Sequence, residues 1–167
     1  REWIELGIKD SKKLTDTKIA ELDRIIRSTP GVAVKTTFMR MAKYNELHSR
    51  FGKNLNRLLG WMHATSCEEA LKDFELQHQR RPKWGLLDQF SEEPLVQKEL
   101  ARKGVEFDLR MRTKAESDPV VAAASIVARA AFVREIDRLS QDGGVHLPKG
   151  SGSEAKNAGI ELVGRLG

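Results

Sequence analysis

The sequence is poor in cysteine and in long apolar runs, and each shortage excludes a class of protein. A single cysteine, Cys67, excludes an internal disulfide framework and a zinc site built from several thiolates. No apolar run approaches the roughly 20 residues that a membrane-spanning helix needs, so we expect no membrane partner. No secretory leader pattern opens the chain. These features together predict a cytoplasmic protein.

The motifs of several large enzyme classes are also absent. The sequence contains no Gly-x-Ser-x-Gly elbow, no Walker phosphate-binding loop and no dinucleotide-binding fingerprint. The four histidines show no metal-ligand spacing. Hydrolases, NTPases and dehydrogenases that depend on those motifs therefore have no support in this sequence.

What the chain does have is a basic, globular composition. Its 167 residues are enough for one domain with a real core, and 32% of them are charged while 40% are hydrophobic. Lys and Arg outnumber Asp and Glu by 29 to 24. This balance favours a polyanionic partner without establishing one.

Helical and strand-like patterns alternate along the chain. Helical spacing of apolar residues predicts helices at 15–28, 55–77, 93–102, 119–139 and 154–166. Thr15 can cap the first of them. β-branched or continuous apolar runs predict strands at 32–38, 84–90 and 105–111, the second of them buried and ending at Asp88. The alternation predicts an α/β fold with parallel strand pairing.

Three strands are few for a sheet covered by five helices. The chain also begins with "REWIELGIKDSKKL", without an initiator methionine. We therefore expect that strands are missing upstream and that residues 1–167 are a fragment.

Two carboxylates follow two of the predicted strands, and both reach the same edge of the sheet if those strands are neighbours. Asp88 ends the "WGLL" strand, and Glu116 lies five residues after the 105–111 strand and just before an alanine-rich helix. Functional groups gather at the carboxyl ends of strands in open α/β folds, and two converging carboxylates favour a hard divalent cation such as Mg²⁺. Alternatively, Asp88 only caps a turn, and Glu116 only complements the dipole of the helix that follows it.

Two other stretches are dense in polar residues. "KDSKKLTD" at 9–16 combines turn-forming side chains, a hydroxyl and two lysines before a helix, which suits a phosphate or simply a solvated, capped loop. "YNELHSRFGKNLNRL" at 44–58 places an aromatic ring beside amides and cations, which suits a sugar or base edge. Tyr44 could equally be a packing residue.

Taken together, several segments resemble the bacterial type 2 ribonucleases H, and among them the HIII group. They are "DSKKLTD" (10–16), "YNELHSRFGKNLNRLLGWMHA" (44–64), "LLDQF" (86–90), "TKAES…VAAASIVARAAF" (113–132) and "LPKGS" (147–151). They lie in family order over most of the chain. Glu rather than Asp after "KA" points to the HIII group.

The resemblance implies a ribonuclease H-like fold, a mixed sheet flanked by helices, here truncated at its first strands. It implies an enzyme that cuts the RNA strand of RNA–DNA hybrids with Mg²⁺, or with Mn²⁺ in its place, leaving 5′-phosphate and 3′-hydroxyl ends. Family enzymes use four acidic residues, of which Asp88 and Glu116 match two. The segment "G-x-D-E-x-G-K-G", which carries the other two, is not in this sequence.

The resemblance also implies further site residues. The expected contacts to the nucleic-acid backbone are Ser11, Lys12, Lys13, Lys114, Ser125 and Arg129. Tyr44, Asn45 and Asn56 are expected helpers in sensing the hybrid. The family's N-terminal substrate-binding domain is expected to be absent from this chain, which we expect to be monomeric.

Three functional hypotheses remain open at this point. The first is a metal-dependent hybrid ribonuclease, of which this chain alone would be inactive because two carboxylates cannot organise two metal ions. The second is a non-catalytic nucleic-acid-binding remnant of such an enzyme. The third is a related nuclease that acts on DNA only.

Overall fold

The structure is a computed structural model that describes residues 2–166 and contains seven α-helices, two β-strands and two short 3-10 turns among them. The helices are α1 (Glu2–Glu5), α2 (Asp16–Ser28), α3 (Met41–Arg50), α4 (Leu55–His78), α5 (Leu95–Arg102), α6 (Pro119–Gly143) and α7 (Ser153–Leu166). The strands are β1 (Trp84–Asp88) and β2 (Asp108–Arg112), and the 3-10 turns are Ser11–Lys13 and Ala115–Ser117. No helix within these residues is long and apolar enough to cross a membrane.

The predicted helices are confirmed, with ends set by local capping. The Thr15 hydroxyl accepts a hydrogen bond from the Lys18 amide and begins α2. The Asn54 side chain accepts from the Arg57 amide and begins α4. Helix α3 was not predicted, because its ten residues are largely polar and none of those described is buried.

The two strands pair in parallel, as predicted, with Trp84 opposite Asp108 and Asp88 opposite Arg112. β1 ends at Asp88 as expected, but its middle residues are half-buried rather than fully buried. β2 begins three residues later than predicted.

The prediction of a strand at 32–38 is wrong. The segment has no regular secondary structure and pairs with no strand in the described part of the chain. Instead, the Thr37 amide donates to the Ser66 hydroxyl of α4 (3.0 Å), and the Ser66 hydroxyl donates to Thr37 Oγ1 (2.7 Å). β-branched residues favour extended backbone, but a strand also needs a partner for its ladder.

Two apolar clusters hold the helices in place. The first joins α2 to α6, where Ile19, Leu22 and Ile126 are almost fully buried. The second joins α4 to α5 and to the sheet, through residues such as Ala64 and Leu100. The sheet is therefore backed by α4 and α5, while α6 rests on α2.

One buried carboxylate reinforces the contact between α2 and α6. Asp23 is 4% exposed and accepts hydrogen bonds from Arg27 Nε (2.9 Å) and Arg134 Nη1 (2.8 Å). Arg27 lies on α2 and Arg134 on α6. Because a buried carboxylate without partners is costly, this arrangement specifies how the two helices meet.

The close approach of α4 and α5 requires a glycine at position 60. A Cβ atom added to Gly60 would lie 2.9 Å from the Cβ of Leu95.

We expect Gly60→Ala to lower the free energy of unfolding by about 1–3 kcal/mol, because the two helices must move apart. Gly159→Ala on α7 is the matched control, since its added methyl meets no atom within 4 Å. Urea unfolding should show the control unchanged or stabilised by up to about 1 kcal/mol through helix propensity. Equal destabilisation by both substitutions would contradict the packing argument.

Glu68 ties α4 to the end of α5 and should make stability depend on pH. Its carboxylate accepts from Lys103 Nζ (2.8 Å) and Lys72 Nζ (2.6 Å). These two hydrogen bonds lower the pKa of Glu68 below its ordinary value, and the bond from Lys103 has the larger effect. The stabilisation is therefore present above the unfolded-state pKa and is lost as the pH falls through the lower folded-state pKa.

In urea unfolding from about pH 6 to about pH 3, we expect the free energy of unfolding of Glu68→Gln to fall less steeply with pH than that of the parent chain. A profile parallel to that of the parent chain would disprove this link.

Candidate active site and nucleic-acid surface

The candidate active site lies at the carboxyl ends of the two parallel strands. β1 ends at Asp88, and β2 ends at Arg112, its register partner. The chain then makes a short turn that carries Glu116 before α6 begins at Pro119. Because parallel strands end at the same edge of a sheet, both carboxylates belong to that edge.

A direct hydrogen bond joins the two parts of the site. Asp88 Oδ1 accepts from the backbone amide of Ala115 at 2.9 Å. Ala115 is fully buried, and Glu116 is its immediate neighbour in the chain. The Asp88 carboxylate is therefore bound to the residue that precedes Glu116 in the chain.

The turn that carries Glu116 has an unusual backbone. Lys114 adopts the left-handed conformation, with φ 55° and ψ 36°, which costs a non-glycine residue energy of order 1 kcal/mol or more. The Ser117 hydroxyl donates to the Lys114 carbonyl (3.0 Å), and the Asp118 amide donates to the Ala115 carbonyl (2.8 Å). These bonds, with that from Asp88, hold the strained turn in one conformation.

The hydrogen bonds around the turn bear on the alternative roles of Asp88 and Glu116 as capping residues. Asp88 does accept a turn amide through Oδ1, which leaves the oxygen Oδ2 for another partner. The cap of α6 is Asp118, whose side chain accepts from the Val120 amide at 2.9 Å. Glu116 is half-buried, and within residues 2–166 its side chain forms no hydrogen bond or salt bridge. Asp118 therefore caps α6 in place of Glu116, and the complement of the helix dipole by Glu116 stays a prediction.

Arg112 is a site residue that the sequence analysis missed. Its Nη2 donates to the Ser117 hydroxyl at 3.3 Å, which places a cation beside the turn. The parallel register puts the same residue opposite Asp88. The signal available in the sequence was its position at the end of β2, but the strand was predicted to end one residue earlier.

The chemistry of this acid pair fits part of a site for a hard divalent cation. Carboxylate oxygens suit Mg²⁺ and Mn²⁺, which take about six ligands. Among the residues that the structure describes, no group of three or more His, Cys, Asp or Glu side chains could hold a metal ion. Asp88 and Glu116 would thus supply two ligands, and others must come from water, substrate or further carboxylates.

The predicted backbone contacts divide between two places. Ser11 is 8% exposed in a 3-10 turn that packs on α6, while Lys12 and Lys13 are exposed on the same turn. Ser125 and Arg129 lie four residues apart on one face of α6, where both are half-buried. Lys114 is different, because it is exposed next to the turn of Glu116.

The three predicted hybrid-sensing residues lie on two other helices, α3 and α4. Tyr44 and Asn45 are on α3, where the Tyr44 ring stacks on His48 with 5.3 Å between centroids. Asn56 is exposed in the first turn of α4. Helix α3 packs against α4, and no hydrogen bond among the described residues joins these three side chains to the acid pair.

The sequence is similar to that of a known protein family and to those of individual proteins. The sequence profile of a family described as Ribonuclease HII matches residues 2–166. Ribonuclease HIII of Protochlamydia amoebophila is 40% identical over 162 residues, which cover 97% of this chain and 51% of that protein. Ribonuclease HIII of Chlamydia pneumoniae is 41% identical over 173 residues, which cover 100% of this chain and 54% of that protein.

Solved structures confirm the predicted α/β, ribonuclease H-like fold. A point mutant of Bst-RNase HIII superposes with a TM-score of 0.82 at 26% identity, over 97% of this chain and 52% of that one. Bst-RNase HIII in complex with Mn²⁺ gives a TM-score of 0.79 at 27% identity, with the same coverage. The chain thus spans about half the length of the relatives that it matches.

The hydrogen bond between Asp88 and Ala115 can be tested by stability. We expect Asp88→Ala to cost about 1–3 kcal/mol of unfolding free energy, because the buried Ala115 amide loses its acceptor. Asp88→Asn should recover part of this loss, since an amide oxygen still accepts but lacks charge. Asp108→Ala, at the other end of the sheet, removes only an exposed pair with Arg110 and should cost at most about 1 kcal/mol. Urea unfolding and hydrogen exchange at the Ala115 amide measure these effects. Equal losses for the Ala and Asn variants of Asp88 would show that the hydrogen bond is not their cause.

Proposed function

Because the chain belongs to the ribonuclease HII family, we propose that it is part of an endonuclease that hydrolyses the RNA strand of RNA–DNA hybrids. The proposal is supported by the hydrogen bond from the Ala115 amide to Asp88, which ties Asp88 to the turn that carries Glu116. These are the two residues that match the acidic residues of the family. The products would carry 5′-phosphate and 3′-hydroxyl ends.

Asp88 and Glu116 would hold the divalent cation, Mg²⁺ with Mn²⁺ as a substitute. Support comes from their hard oxygen donors and from the Mn²⁺ complex of the similar Bst-RNase HIII. When bound, such a cation activates water and stabilises the charge of a phosphoryl transition state. The chain's own contribution is positional, since the Ala115 amide orients the Asp88 carboxylate and the packed turn orients Glu116.

The remaining predicted residues would bind the substrate. Ser11, Lys12, Lys13, Lys114, Ser125 and Arg129 would contact backbone phosphates, while Tyr44, Asn45 and Asn56 would contact sugar or base edges. An excess of positive charge, +5 in the whole chain, supports a polyanionic partner. A monomeric, cytoplasmic enzyme remains our prediction.

A non-catalytic nucleic-acid-binding role for this chain alone has its own support. In the described part of the chain, no third His, Cys, Asp or Glu side chain joins the acid pair in a metal-binding group. Two cations with about six ligands each need more carboxylates than this. We therefore propose that the chain binds hybrids but does not cleave them without a further part of the enzyme.

The test is cleavage of a labelled RNA strand in an RNA–DNA hybrid, with and without Mg²⁺, beside a binding measurement. We expect the chain to bind the hybrid with an affinity that falls with salt, and to leave the RNA uncut in either condition. Asp88→Asn is the blank for contaminating nuclease, and an all-DNA duplex is the control for substrate.

Three other results would each change the proposal. Mg²⁺-dependent cleavage that disappears in Asp88→Asn would show that the chain is a complete nuclease. Cleavage of the all-DNA duplex in place of the hybrid would replace the ribonuclease by a deoxyribonuclease. Failure to bind any duplex would contradict the nucleic-acid function altogether.

A further inference from the structure

The motif "LPKGS" at 147–151 carries a lysine for which the proposed site has no role. This motif lies in the segment between α6 and α7, and Lys149 Nζ donates to Asp16 Oδ2 at the start of α2. Arg129 of α6 approaches the same carboxylate, with Nη2 3.6 Å from Asp16 Oδ1. One carboxylate thus holds two cations from distant parts of the chain side by side.

The surroundings of this cluster are basic. Lys12 and Lys13 lie just before Asp16, on the 3-10 turn that packs against α6. Both are exposed, and neither forms a salt bridge within residues 2–166. Arg129 and Lys149 therefore meet at one carboxylate, and two further exposed lysines precede it by three and four residues in the chain, which leaves net positive charge on this surface.

The contacts within this cluster leave one hydrogen-bond donor without a partner among the described residues. Arg129 Nε is buried and has no hydrogen-bond partner, an omission that costs roughly 1–3 kcal/mol. The side chains of Arg129, Lys149 and Asp16 are 36%, 31% and 37% exposed, so a ligand can reach them. The hydrogen bond from Lys149 lowers the pKa of Asp16, as expected for a carboxylate that is stabilised by two neighbouring cations.

We propose that Lys149 and Arg129, positioned by Asp16, bind a backbone phosphate of the nucleic acid at a second contact, separate from the acid pair. A guanidinium and an ammonium together suit a phosphodiester, because they offer several donors and two positive charges. Asp16 is a positioning residue in this site. The inference rests on the proposed function, since it assigns a further contact to the same substrate.

The geometry of α6 sets the reach of this contact. Arg129 lies ten residues beyond Pro119, where α6 begins next to the turn of Glu116. At 1.5 Å per residue, the separation along the helix is about 15 Å. A phosphate bound by Arg129 and Lys149 is therefore a different one from a phosphate held at the acid pair.

The test is the salt dependence of binding to a hybrid of about 20 base pairs, which is long enough to reach both places. We expect Lys149→Ala to bind several-fold more weakly and to reduce the slope of log affinity against log salt by about 0.9, the value for one lost phosphate contact. Lys149→Arg keeps the charge and should restore the slope. Lys83→Ala is the matched control, because this exposed lysine precedes β1, at the opposite end of the sheet from Asp88.

The outcomes separate this inference from the function on which it rests. An unchanged salt slope for Lys149→Ala, with the parent chain still binding the hybrid, would overturn the second contact and leave the proposed function intact. An equal drop in slope for Lys83→Ala would also overturn it, because the effect would then be general charge. A parent chain that binds no hybrid would overturn both proposals. Thermal unfolding of each variant shows whether a loss of fold contributes.

Discussion

The candidate site depends on the hydrogen bond that the Ala115 amide donates to the Asp88 carboxylate. This bond joins the end of β1 to a turn 27 residues later in the chain. It satisfies a buried amide, and it helps to hold the left-handed backbone of Lys114. Glu116 is part of that turn, so the same bond ties Asp88 to the segment that carries the second acid. A single contact thus connects the sheet, the strained turn and the start of α6.

Helix α6 converts this local arrangement into a rigid support. Its buried face consists mainly of small residues such as Ala122 and Ala123, which let the helix lie close to α2. Asp23 of α2, clamped by Arg27 and Arg134, adds a polar contact with a defined direction. The same helix therefore presents the acid turn at its first residues and the basic cluster farther along. Its regular rise, rather than any flexible loop, sets the spacing between the two.

Local chemistry explains why the helices could be predicted and one strand could not. A cap such as Thr15 and the apolar period of α2 lie within a few residues of each other, so a linear sequence displays them fully. The β-branched content of 32–38 indicates extended backbone equally well. Whether that backbone joins a sheet depends on a partner, and here its Thr37 is bound by Ser66 of α4 instead. Helix α3 escaped prediction because its surface lacks the apolar stripe that reveals a buried helix.

The sequence by itself determined five of the seven described helices, the parallel α/β class and the resemblance to type 2 ribonucleases H, because local patterns and short motifs in order carry that information. It also indicated Asp88 and Glu116 as candidates, since each follows a strand-like run. Only the tertiary structure decided that Asp88 meets the Ala115 amide, that Arg112 lies beside the turn, and that Asp16 holds Lys149, 133 residues away. Such contacts depend on how whole elements pack, and no local pattern of residues encodes the distance between two side chains so far apart in the chain.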